Sequence, residues 1–204
     1  AWWSDIPAVI HAASWLARNP PTVEARILAP SSWSCAHGVG RWSEDCGCKM
    51  DHNRGWHQKW RGPFRSTLER VRDQGRQAID EQGKKLFADP ISARDAFGEI
   101  VGGRMDFDAW YAKHAGVQPS SERARAWLDI QRNLLAMFTS CAWFFDEVTG
   151  IEPLQNLRHA ACAVGQIKAF CGVDLLDSLK ADIRLIPGNL GIEPLLETVD
   201  ANCA

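Results

Sequence analysis

Pro63-Phe64-Arg65-Ser66-Thr67-Leu68-Glu69-Arg70-Val71, continuing through Ala78-Ile79 to Leu86-Phe87, sets the fold class of this chain. Phe64, Leu68, Val71, Ala78, Ile79, Leu86 and Phe87 recur at helical spacing, and charged residues fill the other face. That is an amphipathic helix with one stripe to bury. Proline near its start has the right φ and lacks only an N–H that has no partner there.

Working outward, the same period returns. Asp89-Pro90 opens a helix through about Ile100, which Gly102-Gly103 ends. A short amphipathic piece covers Phe107 to Ala115. Ser120 or Ser121 caps a helix that the pattern carries on to Gly150, about 43 Å at 1.5 Å per residue. Glu152 to Phe170 carries Leu154, Leu157, Ala161, Val164 and Ile167, with Gly172 to close it. Shorter helices lie over 175–180 and 194–199. Upstream, Asp5 to Arg18 reads as a helix stopped by Asn19-Pro20-Pro21, and Thr22 to Leu28 alternates as one short extended element. The expected fold is therefore mostly α: a helical bundle with one short extended element and a long irregular loop. No repeat interrupts residues 1–204, which fit one helical domain.

The loop, residues 31–62, has neither period. It holds Ser32-Trp33-Ser34-Cys35-Ala36-His37-Gly38 and Asp45-Cys46-Gly47-Cys48. An irregular segment of that length needs something other than its own core to order it. Thiolate and imidazole are ligands that Zn²⁺ prefers, so Cys35, His37, Cys46 and Cys48 form a candidate Cys₃His site, with His52 and His57 as spares. Each pair encloses one residue, tighter than the usual two to four. The competing reading makes all four hydrogen-bonded loop residues and free thiols. A Rieske cluster would need a second Cys-x-x-His pair, and the haem signature Cys-x-x-Cys-His is absent.

Ten tryptophans stand against one tyrosine. Trp33, Trp42, Trp56 and Trp60 crowd the loop, with Arg41, Asp45, His57, Gln58 and Arg61 nearby. Indole faces stack on sugar rings while polar neighbours bind hydroxyls, so Trp33, Trp42, Asp45, Trp56, His57, Trp60 and Arg61 are candidate substrate-binding residues. Alternatively the indoles anchor the loop onto the helices. Asp146 and Glu147 end the apolar run Leu134 to Phe145. Carboxylates near a helix C-terminus oppose its dipole by a few tenths of a kcal/mol or more. An arginine partner explains such a placement. A catalytic role is the alternative.

A formal charge of −2 gives no footing for nucleic acid or an anionic membrane. The longest apolar run is too short to span a bilayer. Seven cysteines, an odd number scattered through apolar segments, point to a reducing cytoplasm rather than a disulfide scaffold. The initial alanine points to a processed chain or a piece of a longer one. Walker and dinucleotide motifs are absent.

Several segments together resemble a known family: Ser32-Trp33-Ser34-Cys35 and His37-Gly38-Val39, Arg41-Trp42, Asp45-Cys46-Gly47-Cys48, Gly55-Trp56-His57-Gln58, Trp60-Arg61, Asp89-Pro90 with Ala93-Arg94-Asp95, and Thr139 through Glu147. They are similar to the uncharacterised domain found C-terminal to the catalytic domain of some glycoside hydrolase family 57 proteins, over roughly residues 29 to 170. The resemblance implies an accessory domain beside a catalytic barrel that acts on α-glucans with retention. The family's catalytic Glu and Asp lie on that barrel, so neither transfers to a residue here. Gly40 and Ile91 depart from the expected pattern. The resemblance and the loop together imply an accessory helical domain with a zinc-binding loop and a tryptophan-lined surface for α-glucan, its partner being a catalytic barrel domain or subunit. The alternatives are a metal-dependent catalytic or redox module, and a structural subunit of a larger assembly.

Overall fold

Arg61–Leu86 forms α1, the long helix of the computed structural model, which describes residues 18–20, 22–24, 26 and 28–203. Its buried stripe is Phe64, Thr67, Leu68, Val71, Gly75, Ile79, Gly83 and Leu86. Gly75, Ile79 and Gly83 lie one turn apart, and the two glycines let neighbours approach the backbone. A Cβ on Gly83 would lie 2.8 Å from Trp127 Nε1, and one on Gly75 2.9 Å from Ile167 Cδ1. The helix begins two residues before Pro63. Lys84 and Lys85 in its last turn oppose the negative end of its dipole. Two of its final carbonyls are taken up by a crossing segment, Gly116 N and Gln118 N donating to Leu86 O and Lys85 O, and Ala88 N just beyond the helix donates to His114 O.

The helix expected from Pro90 through Ile100 is two short ones, α2 (Pro90–Ala96) and α3 (Gly98–Val101). Asp89 caps α2 by accepting from the amides of Ile91 and Ser92. The chain bends at Phe97-Gly98, where Phe97 turns its ring onto Trp110. Asp106 caps α4 (Phe107–His114), which buries Trp110 and His114.

Ser120 caps α5, Ser121–Ala136, which buries Ala124, Trp127, Leu128, Ile130, Gln131 and Leu134. The expected continuation to Gly150 does not occur. The chain leaves the helix at Met137, makes one turn at Cys141–Phe144 (α6), and becomes extended at Phe145. Asn156 holds the break: its Nδ2 donates to Thr139 O, and Thr139 Oγ1 donates to its Oδ1. Then come α7 (Ile151–Cys171), closed by Gly172 at φ 78°, α8 (Leu176–Ile183) and α9 (Glu193–Asn202). α7 is the central element, packed against α1, α5, α6 and α9. Ala160, Ala161, Ala163 and Val164 on it leave room for that.

The mostly α fold stands. The described residues of 22–28 form no strand, and the described residues show only isolated bridges such as Phe87 with Ala115. The helix expected from Asp5 lies outside the described residues up to Arg18. The chain divides into two compact units, Ala1–Pro30 and Ser31–Ala204. No helix among the described residues is long and apolar enough to cross a membrane.

Candidate metal centre

The Cys/His segment folds as two tight turns over the start of α1. Ser32 Oγ donates to Gly38 O at 2.9 Å and closes the first. Gly38 takes φ 70° there, and Gly47 takes φ 77° between Cys46 and Cys48. An L side chain resists that conformation, so glycine lets a one-residue spacer turn both thiols inward. Between the turns, Gly40–Trp42 makes a 3₁₀ turn.

Cys35, His37, Cys46 and Cys48 converge, their ligand atoms all within 4.8 Å of one another. Cys35 Sγ lies 3.8 Å from both Cys46 Sγ and Cys48 Sγ and 3.9 Å from His37 Nδ1, and Cys48 Sγ lies 3.5 Å from His37 Nδ1. A tetrahedron with metal–sulfur bonds near 2.3 Å and metal–nitrogen bonds near 2.05 Å has edges of about 3.8 Å between sulfurs and about 3.6 Å from sulfur to nitrogen. Four of the six separations lie near these edges and all lie within 4.8 Å, so the four groups are placed to converge on one metal ion. His52 and His57 stand outside this set.

Electrostatics favour anionic sulfur at the buried position. Burial pushes the Cys35 thiol up, but the amides of His37 and Arg41, the His37 ring and Cys46 outweigh it, and its pKa falls to about 6. Burial raises Cys46, against the amide of Cys48, and the neighbouring Cys35 sulfur raises it further. Two buried guanidiniums lie alongside. Arg41 Nη1 donates to Phe144 O at 2.6 Å, and Arg61 Nη1 donates to Cys48 O at 2.8 Å. Burial, then Arg41, lowers the pKa of Arg61, which still carries its charge.

Asp146 and Glu147 are clamps in a loop, not acids at a helix end. The Asp146 carboxylate accepts from Met50 N at 2.8 and 2.9 Å and from Asp51 N at 2.7 Å, with Arg61 Nη2 4.0 Å away. The arginine partner is thus present. Glu147 accepts from Thr149 N and Asn189 N. Asp45 accepts from Gln58 N, and His57 exchanges backbone bonds with the Asn189 amide.

The tryptophans separate. Trp60 and Arg61 are 0% exposed and cannot line a surface. Trp60 donates to Asp146 O and packs edge-on against Phe64, while Trp143 donates to Arg61 O. Trp56 is half-buried under the Arg54 guanidinium. Trp33 is 89% exposed, its ring 5.6 Å from that of Phe144. With Trp42, Cys141, Phe144 and Phe145 it lines an open groove of about 340 Å³. Phe144 and Phe145 were hidden in the sequence by the apolar run that contains them. All seven cysteines are free thiols.

No curated protein and no solved structure matches the chain. The family described as "Domain of unknown function (DUF3536)" matches residues 56–193, more than half of the chain. The matched span begins after the Cys/His turns, contains Arg61, Asp146 and all of α1 to α8, and ends at the first residue of α9. From α1 onward, the chain belongs to the DUF3536 family of domains of unknown function.

Proposed function

We propose that this chain is an accessory helical domain of an α-glucan-active enzyme of the glycoside hydrolase family 57 type, with a structural zinc ion in its Cys/His loop. The observation that carries the zinc is the convergence of Cys35, His37, Cys46 and Cys48, four of whose six separations lie near the edges a zinc ion imposes. Zinc would cross-link residues 35–48, a segment with little apolar burial of its own. Four protein ligands leave no open coordination position, which favours structure over catalysis. The glucan assignment rests on the family resemblance, and the Trp33–Trp42–Phe144 groove supplies aromatic faces suited to sugar rings. The reacting carboxylates belong to a barrel on another domain or subunit. The free thiols suit a reducing cytoplasm.

Elemental analysis tests the zinc. About one zinc per chain is expected, lost in the Cys46→Ser/Cys48→Ser variant; wild-type protein without metal refutes it. Maltooligosaccharide titration followed by tryptophan fluorescence tests the groove. Wild-type protein should respond and Trp33→Ala should not. Equal responses would remove the groove from the reading.

A further inference from the structure

Arg61 is the side chain by which α1 enters the Cys/His loop. It is fully buried, a rare place for arginine unless its charge is answered. Nη1 donates to Cys48 O at 2.8 Å and stands 3.9 Å from Cys46 Sγ. Nη2 donates to Phe145 O at 3.3 Å and stands 4.0 Å from Asp146 Oδ1. One fork therefore touches the second ligand pair with one arm and the carboxylate that fixes residues 50 and 51 with the other. Charge supports the same view. A divalent ion with three thiolates and one neutral imidazole carries one net negative charge. The Arg61 guanidinium lies between Cys46 Sγ on one arm and the Asp146 carboxylate on the other, so an ionised Cys46 would share its charge with Asp146. Arg41 adds a second buried positive charge beside them, and one carboxylate with one anionic centre would balance the two.

We propose that Arg61 is the positioning residue of the metal centre, holding Cys46 and Cys48 in ligating geometry and balancing the negative charge of the three sulfurs. The inference rests on the zinc reading above. Residues that orient or neutralise ligands from outside the coordination sphere change metal affinity by about 10- to 100-fold when replaced.

The test measures zinc affinity by competition with a chromophoric chelator, and the sulfur-to-cobalt charge-transfer band of the Co²⁺-loaded protein. Helicity in excess zinc monitors the fold. Arg61→Met is expected to bind zinc about 10- to 100-fold more weakly and to shift the band, because Cys46 loses its donor. Arg61→Lys keeps the charge but loses the fork and is expected to recover part of the affinity. If Arg61→Met does not fold, Arg61→Lys decides alone: weaker binding with a shifted band supports the proposal. Wild-type affinity within twofold and an unshifted band in either folded variant overturn it. Wild-type protein that binds no metal ends both this inference and the zinc reading. Metal-binding wild-type protein with unaltered variants ends this inference alone.

Discussion

Replacing Asp146 separates a clamp from a catalytic acid. Its carboxylate takes two backbone amides just beyond Cys48, at 2.7 to 2.9 Å, and faces a fully buried arginine. A hydrogen bond to a charged group contributes about 1.5–3 kcal/mol. Asp146→Ala removes two of these and leaves Arg61 without its carboxylate. The Met50 and Asp51 amides are near enough to solvent to recover water as a partner. The expected net loss is then about 3–5 kcal/mol, the range for breaking a buried ion pair. In a domain of this size 1 kcal/mol moves Tm by about 2–4 °C, which gives a drop of about 6–20 °C. Asp146→Asn keeps one acceptor oxygen and should fall between alanine and wild type. The assay is thermal melting followed by circular dichroism in saturating zinc. Both variants melting within 2 °C of wild type would refute the clamp. If such variants also slowed turnover of a glucan-active enzyme of the kind proposed above, Asp146 would be a reacting group.

Two further outcomes concern the helices. Gly83→Ala should lose about 1–2 kcal/mol in chemical denaturation: the helix-propensity gain is under about 1 kcal/mol, and overpacking costs about 1–3. The new Cβ would meet three atoms of the Trp127 indole at 2.8 to 2.9 Å, and a stabilised variant would show that the ring moves freely aside. The second outcome concerns pH. Burial lowers the pKa of His114, aided by Lys113, and of His159, aided by Arg132. Their contribution to stability is therefore complete above the unfolded value of about 6.5 and declines as pH falls through it toward the folded-state values. Denaturation at pH 7.5 and 5.5 should show a shallower acid loss in a His114→Asn/His159→Gln variant than in wild type, and equal losses would refute this.

The helices were legible because their buried residues repeat at helical spacing. Phe64, Leu68, Val71 and Ile79 mark α1 in the sequence as they do in the fold. Periodicity could not find the break after Ala136, because Leu134 through Phe145 is apolar enough to read as helix throughout. What breaks it is Asn156, a partner seventeen residues on. The Cys/His cluster was legible for the opposite reason: cysteine and histidine are too dense between 35 and 48 for an ordinary loop. Trp60 and Arg61 misled because loop-like neighbours surround them, while their burial is set by Trp143, Phe145 and Asp146 more than eighty residues away.

The boundary of the family match sharpens the relation between loop and helices. Cys35, His37, Cys46 and Cys48 precede Trp56, whereas Arg61 and Asp146, which bond the segment from Cys46 to Asp51, lie within the matched span. The helical body grips residues 46–51 through one sulfur and, at residues 48, 50 and 51, through backbone carbonyl and amide groups. Such a grip fixes backbone position but supplies little apolar burial. The turns thus need a second source of order, and the inward-facing sulfurs offer one. Trp33 stands just before the first ligand and Trp42 between the two pairs, both walls of the groove against Phe144. Trp42 Nε1 donates to Ser140 O and Arg41 Nη1 to Phe144 O, so the 3₁₀ turn between the two Cys/His pairs is tied to the groove wall as the second pair is tied to Arg61.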